Sequence, residues 1–340
     1  MTKSPGRRWS VPNRGVLRLA CLLAVLSWAV SGCGSAPSDS RSSPVTVVVI
    51  PKGTQHEFWK SVHAGAVKAA RELGVEMIWK GPVREDDREA QVAEVENFVS
   101  RGVNGIVLAP VDETALRVPV ANASRSGIPV VVIDSALESE EQVSFVATDN
   151  LRGGRLAGER MVKALSGKGR IIVLRHMEGS ASTMARVNGF LEVMAKNSGM
   201  ELVSSNQFGG TTAETAYRAS ENLLARFKSA VDGIFCPNEG TAFGMLRALQ
   251  DSGLAGKVVF VGFDSSESLV RGLEKGDIDS LVLQDPFNMG YLGVKTMVAH
   301  LKKEKVEPRI DTGVTLATRE NMNEPAIREL LRPDLERWLN

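Results

Sequence analysis

From Val45 onward, short apolar, β-branched runs alternate with longer stretches in which apolar residues return every three or four positions. The runs "VTVVVI" (45–50), "VEMIW" (75–79), "GIVLAP" (105–110) and "IPVVVID" (128–134) read as strands; the periodic stretches 58–73, 90–101 and 114–126 read as amphipathic helices. Strands this apolar are expected to be buried on both faces, as in a parallel sheet. The links "ELGVE", "SRGVNG" and "SRSGIP" place glycine where a helix ends and a strand begins.

After "VSFVATDN" (143–150) the alternation restarts: a helix over 154–165, "GRIIVL", a helix over 184–197, "MELVSS", a helix over 213–227, "VDGIFC", a helix over 241–251, and "KVVFVGFD". The fold class is therefore α/β, with two doubly wound parallel-sheet lobes. Ligands of open α/β sheets sit beyond the carboxyl ends of the strands, so two facing lobes would enclose a cleft made of those loops.

The strand ends carry polar groups and two aromatics. His56, Glu57, Phe58 and Trp59 follow the first strand, Asp134 the fourth, and Asp149 with Asn150 the fifth; Asn238 with Glu239, Asp264, and Gln284 with Asp285 follow later ones. Arg186 lies in an early helical turn after "IIVLRHMEGS". Carboxylates, amides and a guanidinium bond hydroxyls at fixed angles, and aromatic faces pack on the C–H faces of a sugar ring. Such an assortment reads as a sugar or polyol site. The alternative is structural: Asp134, Asp149 and Asp264 would each cap the following helix, and Phe58 or Trp59 would be a first-turn core residue.

The segments "EFWKSVHAGAVKAARELG", "VIDS", "ATDNLRGGRLAGERM", "MARVNGF", "CPNEGTAFGMLRALQDSG", "VGFDSS" and "VLQDPFNMGYLGV" follow in an order and spacing that resembles the type I periplasmic sugar-binding proteins, the ribose-binding-protein-like receptors of ABC importers. The resemblance implies a periplasmic binding protein type I fold whose chain crosses three times between lobes, near 148–150, 284–286 and 310–313. It makes Phe58 and Trp59 the groups for the sugar faces and Asp134, Arg186, Asn238, Asp264 and Gln284 the hydroxyl-bonding groups. His56 stands where ribose binders usually have asparagine, and Ser135 where they usually have arginine; both complete the expected ligand set. Phe208, near "QFGGTTAE", is a further aromatic at a place where the family often presents one. The implied lobes are 45–149 plus 286–310 and 150–285 plus 311–340, with a short helix from the tail "RENMNEPAIRELLRPDLERWLN", capped by Asn323, on the second lobe.

Residues 1–32 have the layout of an export signal: a basic start, the apolar run 19–30, and small residues. The alternative is an uncleaved anchor helix. "VSGC" resembles the bacterial lipobox, which implies lipidation at Cys33, a tether over 33–44, and a lipid-anchored protein of the bacterial cell envelope. Of the three cysteines only Cys236 then remains in the exported body, so no internal disulfide forms.

Other classes lack their residues. A formal net charge of +1 gives no basis for a nucleic-acid partner. No phosphate loop, dinucleotide fingerprint or G-x-S-x-G elbow is present, and the four histidines form no zinc-type pair. A lactose-repressor relative of this fold would begin with a DNA-binding helix-turn-helix, where the signal and tether stand instead. The expectation is a monomeric, non-enzymatic, cofactor-free and metal-free receptor that captures a sugar or polyol and delivers it to ABC permease subunits. The alternative output is a signal to a sensor kinase or chemoreceptor.

Overall fold

The computed structural model describes residues 44–227 and 230–340. The expected signal, Cys33 and all but the last residue of the tether lie outside them. The first half of the chain runs β1 (Thr46–Ile50), α1 (Glu57–Leu73), β2 (Glu76–Trp79), α2 (Arg88–Ser100), β3 (Gly105–Leu108), α3 (Arg117–Arg125), β4 (Val130–Ile133) and β5 (Ser144–Ala147). The second repeats the plan with α4 (Asn150–Ala164), β6 (Gly169–Arg175), α5 (Ala181–Ala195), β7 (Met200–Phe208), α6 (Ala213–Phe227), β8 (Gly233–Phe235), α7 (Glu239–Asp251), β9 (Val259–Phe263), α8 (Glu267–Lys275) and β10 (Ser280–Leu283). Then follow α9 (Pro286–Leu301), β11 (Arg309–Asp311), β12 (Thr315–Thr318), α10 (Pro325–Leu331) and α11 (Glu336–Leu339).

The strands form two six-stranded sheets in the same order: β11, β5, β4, β3, β1, β2 in one and β12, β10, β9, β8, β6, β7 in the other. Every pairing is parallel except that of β12 with β10. β3, β4 and β10 are buried at every residue, as strands covered on both faces must be. α1 and α9 pack on one face of the first sheet and α2 and α3 on the other; α4 and α5 cover one face of the second, with α7 and α8 opposite. The chain passes between the sheets after β5, after β10 and after β11.

Besides shifts of up to three residues at helix ends such as those of α3 and α5, two elements differ from expectation. α4 begins at Asn150 rather than 154, because the Asp149 carboxylate accepts the Arg152 N–H and caps it there. The glycines of "RGGRLAG" thus lie inside the helix, where Gly154 and Gly158 face α5 and Gly153 faces Phe263. The tail is not one helix on the second half. α10, whose N-cap position is Glu324 rather than Asn323 and carries no side-chain capping bond, buries Ile327 and Leu331 in the second sheet's core. The chain then leaves the helix at Arg332, and α11 sets Trp338 beside Phe287 of α9 and Lys68 of α1, on the first half. Pro333, without an N–H to continue the helix, accounts for the break.

Candidate functional site

The carboxyl ends of β1, β4, β8, β9 and β10 converge on a cavity of about 20 Å³ between the two halves. Eight of the nine residues expected at a ligand line it: His56, Phe58, Trp59, Asp134, Arg186, Asn238, Asp264 and Gln284. Ser135 does not. It is buried next to Asp134, and its hydroxyl accepts the Ser182 N–H at 3.1 Å across the interface. Phe208 ends β7 at 46% exposure, away from the wall.

Asp134 and Asp264 occupy equivalent places in the two repeats, each just past its strand and bonded by its N–H to the neighbouring strand, at Val146 and Val282. Both have left-handed backbones, at φ 61° and 69°. A non-glycine residue held there stores strain that the surroundings must offset, which is common at binding sites. Neither is the N-cap residue of a helix, although Asp264 Oδ2 accepts the Glu239 N–H at the start of α7 at 3.1 Å; Asp149 and Asp285 cap the helices they precede, and Asn238 both caps α7 and faces the cavity.

Arg186, 2% exposed, ties the two aspartates together. Its guanidinium donates to Asn150 Oδ1 at 2.8 Å and to the Pro237 carbonyl at 2.9 Å, and lies 3.7 Å from Asp264 and 4.0 Å from Asp134. Its plane rests on the Phe263 ring, 4.2 Å from the centroid. Gln284 Nε2 donates to Asp264 Oδ1 at 2.6 Å. Burial raises the Asp264 carboxyl above its usual range even though Arg186 and Gln284 oppose it.

Phe58 and Trp59 meet edge to face, with centroids 4.9 Å apart, and both line the cavity while packing into the first half's core. The choice between ring wall and core residue is thus no choice for either. Trp59 Nε1 donates to Glu85 Oε1 at 2.6 Å, and the other Glu85 oxygen lies 3.0 Å from His176 Nε2 on the second half. Burial would raise the Glu85 carboxyl, but the bond and charge of His176 outweigh it and hold the group well below the carboxylate range.

Glu239 crosses the interface. Its oxygens accept the N–H groups of Glu57 at 3.1 Å and Phe58 at 3.0 Å, so a carboxylate of the second half caps a helix of the first. Glu57 returns the contact by accepting the Glu267 N–H at the start of α8. Burial pushes the Glu239 carboxyl up to about 7. His56, whose Nδ1 lies 3.8 Å from Glu239, would be lowered by burial, but the carboxylates of Glu85 and Glu239 raise it. Both groups hold protons more tightly folded than unfolded; the contribution of Glu239 is full below pH ~4.5 and is lost as pH rises through ~7, and that of His56 is full below its ordinary value and is lost at higher pH. Melting curves should therefore show wild type and Glu239→Gln alike near pH 4.5, with the variant ahead by a few °C, about 2–4 °C per kcal/mol at most, at pH 8. A pH-independent difference would refute this.

Sequence reasoning missed several residues of the wall, Lys52, Glu85, Ser182 and Thr183, and named Glu239 as a strand-end group without placing it in the ligand set. Lys52, 4% exposed, pairs with Asp134 at 2.8 Å and donates to Ser182 Oγ at 3.0 Å. It follows β1 by two residues, so its position was a usable signal. Glu85 lies six residues beyond β2 and reaches the cavity only through its loop. Among the described residues, no cluster of three or more His, Cys, Asp or Glu could hold a metal ion.

Residues 47–305 match the family model described as periplasmic binding protein domain. The chain is 31% identical over 277 residues to the ribose import binding protein of Haemophilus influenzae, covering 82% of this chain and 92% of that one. It is 29% identical to the D-allose-binding periplasmic protein of Escherichia coli, covering 80% and 89%. A carbohydrate transporter solute-binding protein from Agrobacterium radiobacter, solved with D-arabinose, superposes with a TM-score of 0.83 at 34% identity, covering 86% of this chain and all of that one. An ABC transporter solute-binding protein from Agrobacterium vitis, with bound D-fucose, gives 0.82 at 36%, covering 84% and all of its length. These relatives are binding proteins of transport systems, not enzymes. With two repeated α/β halves around one polar cleft, and a family match over most of its length, the chain belongs to the periplasmic binding proteins of type I.

Proposed function

We propose that this protein captures a sugar or sugar-like polyol between its two halves and hands it to the permease of an ABC importer. The observation that carries the reading is one cavity wall combining Asp134, Asp264, Arg186, Asn238 and Gln284 with Phe58 and Trp59. Fixed donors and acceptors set against aromatic surface suit hydroxyls on an apolar ring. The nine residues His56, Phe58, Trp59, Asp134, Ser135, Arg186, Asn238, Asp264 and Gln284 form the proposed ligand set, with Lys52 added and Ser135 acting through Ser182.

A cavity of about 20 Å³ has room for about one water molecule, so a sugar enters only when the halves separate. The moving bodies are residues 45–149 plus 286–310 and residues 150–285 plus 311–331, joined by three strands of chain, and the contacts of Trp338 with Phe287 and Arg71 open or travel with the first body as the halves part. Ligand hydroxyls then exchange with the Lys52–Asp134 and Gln284–Asp264 bonds, and the closed form is favoured to the extent that it holds the ligand better. Export to the periplasm follows from the family, and acylation at Cys33 would hold the protein at a membrane, with 33–44 as tether.

A melting-temperature screen against pentoses, hexoses, polyols and inositols tests the reading. A ligand at 100 times its dissociation constant adds about 2.7 kcal/mol of stability. The expected result is a clear rise with at least one sugar, lost in Asp264→Asn, which keeps a side chain tolerant of the left-handed backbone but removes the charge. If no compound in the screen moves the melting temperature, the sugar reading fails.

A further inference from the structure

A second cavity, of about 170 Å³, adjoins the central one and shares Phe58, Asp264 and Gln284 with it. Its far wall is apolar, made by Leu283 and Pro286 with Leu330, Leu331, Pro333 and Leu335 of the tail. Also lining it are Ser61 and Gln284, each 3% exposed, whose Oγ and Oε1 have no hydrogen-bond partner among the described residues. A buried polar atom left without a partner costs about 1–3 kcal/mol, which a bound group would recover.

The compartment is built from both halves. Leu331 is fixed in the second half's core, while Arg71 Nη2 donates to the Trp338 carbonyl at 3.2 Å and so holds the end of the tail on α1. The space suits roughly ten water-sized groups, comparable with the heavy atoms of one sugar residue. Its make-up, an apolar wall with Ser61 and Gln284 beside the charged groups of Glu57, Asp264, Glu267 and Arg332, suits a ring with a C–H face and several hydroxyls. Beyond it Ser61, Pro286, Leu330 and Pro333 also border an outer groove carrying Phe287, Tyr291 and Trp338.

We infer that this compartment receives the group joined to the sugar in the central cleft, so that the preferred ligand is an O-glycoside with a substituent about the size of a second sugar ring, not a free monosaccharide. The inference rests on the sugar reading above and names its substrate class. Ser61 Oγ and Gln284 Oε1 bond the second ring, and the tail's leucines and prolines cover its apolar face.

Calorimetric titration of the full chain with matched ligands tests this: the monosaccharide giving the largest thermal shift, its methyl glycosides, and its O-linked disaccharides of both anomers. A glycoside should bind at least ~10-fold tighter than the parent sugar. Ser61→Ala should reduce that preference several-fold. Leu335→Trp, which fills the compartment, should abolish it while monosaccharide affinity stays within about two-fold. If the parent sugar binds as tightly as every glycoside, the compartment holds only water and the inference falls while the sugar reading stands. Equal losses for sugar and glycoside in both variants overturn it as well. Binding of neither kind of ligand removes the sugar reading itself.

Discussion

Arg186→Met should lower the unfolding free energy by about 3–5 kcal/mol and abolish the thermal shift given by any sugar ligand. Methionine retains most of the aliphatic volume and can still pack near Phe263, so the loss is electrostatic rather than a cavity effect. Without the guanidinium, Asp134 keeps Lys52 at 2.8 Å, but Asp264 is left with Gln284 and the Glu239 N–H alone in a fully buried position. The Asn150 amide oxygen and the Pro237 carbonyl lose their donor at the same time. The Asp264 carboxyl, already raised by burial, should rise further and protonate, which changes what it can offer a hydroxyl. Arg186→Lys should restore only part of the loss, because one ammonium cannot reach both acceptors in the guanidinium's planar geometry. Urea denaturation and the sugar thermal shift together decide it. A stability loss under ~1 kcal/mol with ligand binding intact would show that the two aspartates do not depend on this cation.

Gly154→Ala is the second large effect. A Cβ there would lie 1.9 Å from the Arg186 carbonyl oxygen, and the opposing Gly189 faces the Leu151 carbonyl at 2.1 Å. α4 and α5 therefore meet backbone to backbone, and no rotamer change relieves the clash. The helices must separate, at a cost of ~1–3 kcal/mol or more. Because the atom struck belongs to Arg186, the displacement also moves the guanidinium relative to Asp134 and Asp264, and sugar affinity should fall more than ~10-fold. Gly102→Ala is the comparison: its φ is 67° but nothing lies within 4 Å, so the cost should be about 1 kcal/mol with no change in ligand affinity. Equal stability of the two variants would refute the close-packing explanation. The first half uses the same device, with Gly65 of α1 against the Phe287 carbonyl and Gly290 of α9 against that of Val62.

Much of the fold was legible because its signals are local. Buried parallel strands require unbroken β-branched runs, and the helices that cover them require apolar residues at helical spacing. The restart after residue 150 corresponds to the repeated strand order of the two sheets. Eight residues of the cavity wall were legible for a related reason: Asp134, Asn238, Asp264 and Gln284 stand directly after strands, where this architecture places the cleft, and His56, Phe58, Trp59 and Arg186 lie in the loop or first turns that follow one. Glu85 was not, since it stands in a charged loop with no motif to single it out, and only the bond from Trp59 and the contact with His176 place it at the cavity. The tail misled for the opposite reason: its apolar spacing predicts packing but not the partner, and Pro333 divides it between the two halves.

The sequence by itself determined the alternation of strand and helix, the doubling of the unit and the chemical character of the strand ends, because each depends on residues within one or two turns of each other. Only the tertiary structure decided which aspartates cap helices and which face the cleft. Asp149 and Asp285 cap the helices they precede; Asp134 is followed by strand β5 and not by a helix, and α8 after Asp264 is capped by Ser266, which leaves both aspartates at the cleft. The structure likewise decided that Glu239 serves a helix of the opposite half, and that the tail encloses a second compartment beside Phe58. These outcomes depend on contacts between residues 25 to more than 250 positions apart, as with Glu239 and Asp264 or Arg71 and Trp338, and no local pattern encodes such distances.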